Sequence, residues 1–261
     1  MKTSTEINSI ARAAEVLKLL SNGVEKMTEI SRRLEVNKAT VHRIMKTLEN
    51  KGLVSQDTTT RKYYLGPLIQ ALAENPLTVH RIVGQLAVGE MERLTDKFGE
   101  TVVLQIRRGG QRLILEKSEG HQSIRYFPVN IESSPIHSGA GAKILLAGMD
   151  QTELSKLLKR LDLVKVGPNT IDEKERLLAE IVKIRSQGYA VSFGETIEGG
   201  AGIAVPIRNY SCPVALVIVG PELRIKENKD ILLKELKHSA ELISENIASV
   251  TGIKSAITKA I

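Results

Sequence analysis

Residues 27–65 read MTEISRRLEVNKATVHRIMKTLENKGLVSQDTTTRKYYL, and the order of elements in this stretch decides the first domain. Met27, Ile30 and Leu34 form the apolar stripe of a short helix, with Thr28 expected as its cap. Glu35-Val36-Asn37 makes a tight connection, with Val36 placed to plug the angle between two helices. The next helix is expected from Lys38 to about Lys51 and ends at Gly52, a natural left-handed C′ residue. Leu53-Val54 and Tyr63-Tyr64-Leu65 read as two short strands, and the polar run between them is the tip of a hairpin. Helix, turn, helix and hairpin in that order make a mainly-α winged helix-turn-helix.

On a helical wheel Val41, Ile44, Met45 and Leu48 fall within about 100° of one another. The centre of the opposite face is Ala39, Arg43, Lys46 and Asn50, flanked by His42 and Thr47. A helix apolar on one side and bearing Arg, Lys and small polar groups on the other suits a DNA major groove. Arg43 has the fork for a bidentate contact to guanine, and Ala39 suits a thymine methyl group. Lys38, Thr40 and the helix N-terminus suit phosphates, which fix register rather than sequence. Arg61 and Lys62 at the wing tip would reach the backbone or the minor groove. Taken alone, a basic helix face is usually a solvated one, His42 can be incidental, and some winged helices bind protein. The complete element order favours DNA. Tyr63 and Tyr64 are expected to pack under the wing.

Upstream, a first helix is expected to begin near Ser9 as N-cap, with Ile10, Ala14, Leu17 and Leu20 on its buried face and Ser21-Asn22-Gly23 at its end. Downstream of the wing, Gly66-Pro67 breaks the pattern and residues 68–74 look helical. Asn75-Pro76 is the expected boundary, because a residue before proline is pushed out of helical geometry. The chain is thus divided into residues 1–75, a winged helix-turn-helix with linker helix, and residues 76–261. In the second part an amphipathic helix over 78–98 closes at Gly99. Strand-like runs at 101–107, 112–116 and 124–127 precede helix-like runs at 140–147, 153–161 and 173–187. Further strands at 189–193, 202–207 and 214–219 lead to a last helix over 229–250, and the tail after Gly252 is expected to fray. This is the texture of an α+β domain with an antiparallel sheet.

The length of 261 residues suits two domains of unequal size. Aromatic residues are scarce, with no Trp and three Phe, so the core must be built from Ile, Leu, Val and Ala. Apolar runs are too short to span a membrane and no signal peptide is read, so a cytoplasmic protein is expected. Cys212 is the only cysteine, which excludes an intramolecular disulfide, and it reads as a passive thiol. The net charge is +7; residues 1–75 hold 12 basic and 8 acidic groups against 25 and 22 in the rest, so the smaller part carries most of the excess. This leans toward nucleic acid at one end.

The chain resembles the IclR family of transcriptional regulators over nearly its whole length. The N-terminal marks are Ser9-Ile10-Ala11-Arg12-Ala13, Thr28-Glu29-Ile30, Thr40-Val41-His42-Arg43 and Lys51-Gly52-Leu53-Val54. The C-terminal marks are Gly99-Glu100-Thr101-Val102, Leu115-Glu116-Lys117, Pro128-Val129 and Pro135-Ile136-His137-Ser138-Gly139-Ala140-Gly141. They continue in Gly188-Tyr189-Ala190-Val191-Ser192, Gly202-Ile203-Ala204-Val205-Pro206-Ile207 and Gly220-Pro221. The resemblance implies a GAF-like effector domain taking a small organic acid or aromatic metabolite. It also implies a dimer or tetramer on palindromic operators in double-stranded DNA near catabolic genes, with repression the commoner outcome.

In the family, the positions matching Gly139 and Ala140 offer backbone amides to the ligand carboxylate, as suits small residues opening a helix. Ser192 matches a position that hydrogen-bonds the ligand, and Glu195 lies close by. Gly202 stands where family members that take small oxo-acids can carry Cys, and Val217 and Val219 stand where they can carry Ser. The stretch Ser192-Phe193-Gly194-Glu195 with Gly202-Ile203-Ala204 looks more like the sugar-acid or aromatic-acid members. His137 reads as a capping or packing residue. The five histidines show no metal spacing, and neither a metal nor a cofactor is expected. An enzyme acting on the same metabolite is the alternative, but no catalytic residues are assigned. There is no nucleophile elbow, no paired metal ligands and no phosphate-binding loop.

Overall fold

In the computed structural model, which describes residues 7–73, 80–125 and 134–251, the chain divides into two compact units, Met1–Val79 and His80–Ile261. The Asn75-Pro76 boundary, the expected helix start at Thr78, Pro128-Val129 and the tail after Gly252 lie outside the described residues.

The first unit runs α1 (Asn8–Ser21), α2 (Met27–Arg33), α3 (Lys38–Asn50), β1 (Val54–Gln56), β2 (Tyr63–Leu65) and α4 (Pro67–Ala73). Its core is Val16, Leu20, Val24, Ile30, Val41, Met45, Leu48, Val54 and Tyr63. Two expected caps are corrected. Both α1 and α2 begin one residue before the hydroxyl that was to cap them, so Ser9 and Thr28 lie inside the helices; Ile7 and Lys26 occupy the cap positions without a side-chain bond. The buried line of α1 runs through Val16 and Leu20, with Ala13 and Leu17 packed beside them. Ile10 and Ala14, expected on that face, are exposed: the first turn carries no buried residue, and Ala14 faces away. The cap that does form is Asn37 on α3, whose side chain accepts from Thr40 N at 2.8 Å.

The hairpin pairs Val54 with Leu65 and Gln56 with Tyr63. Asp57 shapes its tip by accepting from Thr59 N and Thr60 N. Gly66 is confined by its neighbours: a Cβ there would lie 2.3 Å from the Gly52 carbonyl oxygen.

The second unit runs α5 (Arg81–Phe98), β3 (Thr101–Arg108), β4 (Gln111–Ser118), β5 (Ser134–Pro135), α6 (Ala140–Ala147), α7 (Gln151–Arg160), α8 (Lys174–Gln187), β6 (Ala190–Phe193), β7 (Gly200–Ile207), β8 (Val214–Pro221), α9 (Glu222–Glu227) and α10 (Lys229–Thr251). The strand expected at 124–127 is not present at Ile124 and Arg125, and its remainder lies outside the described residues. The antiparallel sheet has the order β5-β4-β3-β8-β7-β6.

Both faces of the sheet are covered, and alternation along the strands decides what each side chain meets. Val102, Leu104 and Ile106 of β3, Ile203 and Val205 of β7, and Leu216 and Ile218 of β8 pack with α5, α9 and α10. Val103, Ala204, Ala215 and Val217 turn the other way, into a core with α6, α7 and α8. On that second face the strands also present Gln105 and Gly202. Room is left there between the sheet and the start of α6.

Candidate functional site

In the first unit, α3 divides as the wheel requires. Val41, Met45 and Leu48 are buried, and Ile44 is half-buried. Lys38, Ala39, His42, Arg43, Lys46, Thr47 and Asn50 are exposed, and Thr40 is half-buried at the capped end. The turn before α3 is held by Glu35 at φ 52°, by the half-buried Val36 and by Ser31 Oγ donating to Val36 O at 2.6 Å. Arg61 and Lys62 both lie at the wing, where Arg61 adopts φ 57°. Tyr63 is buried beneath it, as expected, whereas Tyr64 is exposed.

Two cations of this face already have acidic neighbours: Lys46 Nζ lies 3.0 Å from Glu49, and Lys62 Nζ lies 2.7 Å from Glu25. The hydrogen bond that Lys62 donates to Glu25 raises the pKa of Lys62, and the amides of Thr60 and Thr59, donating to Asp57, lower that of Asp57. Exposed pairs of this kind are weakened by water and salt, so a polyanion can exchange for either carboxylate.

The second unit contains a cavity of about 400 Å³ between α6 and the sheet. Gly139, Ala140, Ser192, Glu195 and Gly202 all line it, though they come from a helix start, two strands and a turn. Gly139 stands at the N-cap of α6 with φ 91° and ψ 161°, a conformation in which a side chain is strained. Its N–H donates to Glu195 Oε2 at 3.0 Å, and the N–H of Ala140 donates to Ser192 Oγ at 3.0 Å. Thus both amides at the head of α6 are engaged by the facing turn and strand.

Glu195 is held from several sides. Its Oε1 accepts from Lys143 Nζ at 2.6 Å, and its carbonyl accepts from Ser138 Oγ at 2.8 Å and Thr170 Oγ1 at 2.7 Å. Lys143 is 1% exposed and also donates to Val191 O at 3.1 Å, with Glu180 at 3.5 Å. A buried lysine persists where its charge is paired and its protons are taken up, as they are here. Sequence reading did not single out Lys143, Gln105 or Arg112. The signal was there for Lys143, the one charge in the helix AGAKILLA. It was there for Gln105 too, a polar residue within the apolar run of TVVLQIRR.

His137 is fully buried, and its Nε2 donates to Val164 O at 2.9 Å, a packing role for the segment entering α6. Burial pushes the Cys212 thiol up to about 11, so it is a poor nucleophile at neutral pH. Among the described residues no cluster of His, Cys, Asp or Glu could hold a metal ion, and no helix is long and apolar enough to cross a membrane.

The family model for the IclR helix-turn-helix domain matches residues 9–58, and that for the bacterial transcriptional regulator IclR C-terminal domain matches residues 77–245. The chain is 32% identical over 214 residues to the HTH-type transcriptional regulator KipR of Bacillus subtilis strain 168, covering 80% of this chain and 84% of KipR. A crystal structure of an IclR transcriptional regulator from Alicyclobacillus acidocaldarius is 30% identical and covers 92% of this chain and 98% of its own, with a TM-score of 0.58. An IclR homolog from Microbacterium hydrocarbonoxydans, crystallised with 4-hydroxybenzoate, shares the fold at 24% identity and TM-score 0.59, covering 92% of this chain and 99% of its own.

Proposed function

This chain belongs to the IclR family of transcriptional regulators, and from that premise we propose that it represses catabolic genes under control of a small organic acid, a sugar acid or an aromatic acid. The observation that carries this reading is the convergence of Gly139, Ala140, Ser192, Glu195 and Gly202 on one cavity, together with Arg112 and Arg125 on its wall. The cavity is of a size for a metabolite, and its guanidinium groups suit an acid. A ligand of that chemical class, 4-hydroxybenzoate, occupies a protein of the same fold.

The output is the exposed face of α3. Arg43 reads guanine, Ala39, His42 and Lys46 lie beside the base edges, and Lys38 and Thr40 meet phosphates at the groove. Arg61 and Lys62 extend the footprint from the wing. Two copies of the chain, as a dimer or within a tetramer, meet a palindromic operator whose half-sites lie about 10 bp apart or a multiple of that. Effector binding shifts the assembly between a DNA-competent and an incompetent state, and a coupling of roughly 1–3 kcal/mol suffices for regulation.

Fluorescence anisotropy of the purified protein on DNA from its own upstream region tests this reading. Affinity should change on adding an acid that also raises the thermal midpoint, and Ser192→Ala should diminish both effects. Identical affinity with and without every sugar and aromatic acid tried would remove the sensing function.

A further inference from the structure

Helix α7 buries Leu154 and Leu158 and turns a cationic side to solvent. Lys156, Lys159 and Arg160 stand at i, i+3 and i+4, so they share one side of the helix, and all three are exposed. None of them has a hydrogen-bond or ion-pair partner among the described residues. The carboxylates along the helix are already engaged. Asp150 caps its far end, accepting from Glu153 N at 2.8 Å, and Glu153 is paired with Arg107 of β3. A helix C-terminus favours cations, which accounts for Lys159 and Arg160 in the last turn but not for Lys156.

The same surface extends past the helix. Leu161 Cδ1 lies 3.5 Å from the position of a Cβ built on Gly110, so the tip of the β3–β4 hairpin meets the end of α7. Arg108 beside that tip and Lys165 after α7 are exposed and likewise unpartnered among the described residues. Residues 107–110 and 150–165 together hold six cations and three carboxylates, an excess as large as that of all residues 76–261. Of those carboxylates only Asp162, which is exposed, is without a partner among the described residues. The rest of the second unit is therefore balanced, and its positive charge is concentrated in these two segments. Such a concentration is the footprint of a polyanion. Along α7 no large apolar side chain is exposed, so a protein partner would find no anchor there. Lys and Arg on long stems in open solvent suit phosphates, which need charge but no shaped pocket.

We propose that this side of α7, centred on Lys156, Lys159 and Arg160, is a second DNA contact that takes backbone phosphates outside the operator whatever their sequence. The first unit already carries a DNA-binding domain. Duplex held there is present at high effective concentration around the rest of the same chain, so a few exposed cations contribute without binding tightly on their own. This goes beyond the sensing of an acid and does not depend on it.

Binding of the full-length protein to two duplexes from its own upstream region, measured against salt, tests the proposal. One duplex is about 20 bp, enough for two half-sites a turn apart, and the other is about 60 bp with the same centre. The slope of log affinity against log salt should be steeper on the longer duplex by about 2 or more, since each neutralised phosphate adds roughly 0.9. The variant Lys156→Gln/Lys159→Gln/Arg160→Gln should lose that difference while keeping its affinity for the shorter duplex within about twofold, which also shows that it folds. A control, Arg176→Gln/Lys183→Gln/Lys234→Gln, removes the same charge from exposed positions on α8 and α10 and should keep the difference. Equal slopes on the two duplexes, a difference that persists in the α7 variant, or an equal loss in the control would overturn the proposal. So would a matching loss on the shorter duplex, which would put these cations in the operator contact or in folding. Unchanged DNA slopes in the α7 variant together with lost binding of poly-L-glutamate would assign the surface to an acidic protein segment instead. None of these outcomes bears on whether an acid alters DNA affinity, so the sensing function stands or falls separately.

Discussion

Lys143 carries a charge where every neighbour in its helix is apolar or small, and the consequence is measurable. Lys143→Met should lower stability by about 3–5 kcal/mol in urea unfolding, because Glu195 would stay buried without its cation. Adding Glu195→Leu to that variant should recover part of the loss, since no charge is then stranded; a double variant as unstable as the sum of the singles would show the pair is uncoupled. Gly141 offers a steric counterpart: an added Cβ would stand 2.1 Å from Gln105 Oε1 and 2.8 Å from Val217 Cγ2. Gly141→Ala should therefore cost about 1–3 kcal/mol by overpacking and displace Gln105 from the cavity wall, which thermal melts and ligand titration would register together. The separate members of this cluster were visible along the chain. Their convergence was not, because Lys143 and Glu195 are joined only when the turn after β6 folds back over the head of α6.

At the scale of elements, α3 and its wing were the most legible part, since one amphipathic helix reports its own buried side. The wheel placed Val41, Met45 and Leu48 inward and Arg43 and Lys46 outward, and packing keeps that division. Caps were less legible. Ser9 and Thr28 are good capping residue types, but a helix start is decided by backbone partners, and both helices begin one residue too early for them. Asn37, not singled out, performs that role for α3. Arg43→Ala should cost roughly 1–3 kcal/mol at one base position and relax the preference there, measured by competition with operator variants. Lys62→Ala should weaken binding to all sequences alike and flatten the salt dependence. The structure adds Glu25 to this account: Glu25→Gln frees Lys62 from its 2.7 Å partner and should tighten binding to any DNA at low salt. No gain in non-specific affinity would show that Lys62 does not reach the backbone.

Across the second unit as a whole, the five longer strands could be found one by one but not ordered, while the short β5 was not read and the strand expected at 124–127 is not present at Ile124 and Arg125. The pairing of β3 with β8 joins Thr101 to Val219 and leaves no local mark, because register depends on partners far along the chain. One clue survives in composition. The run VALVIVG of β8 is apolar on both sides, as befits an inner strand with both faces covered, whereas β4 carries more exposed positions. The covered sheet also ties α5 to the rest of the unit, and His80 marks the start of that helix. Its Nδ1 lies 2.9 Å from the Tyr210 hydroxyl beyond the end of β7, with the two rings edge to face at 5.6 Å. Burial lowers the pKa of His80 below its ordinary 6.5. The folded state thus takes up its proton less readily than the unfolded chain does. Its stabilising contribution is complete above the unfolded value and is lost as pH falls through the lower folded one. The thermal midpoint of the wild type should accordingly fall on acidification from pH 7 to pH 5, and His80→Gln, which keeps a polar partner for Tyr210 but cannot titrate, should fall less. Parallel pH profiles for the two proteins would mean that His80 meets the same surroundings folded and unfolded, and that the contact with Tyr210 does not hold the head of α5 in solution.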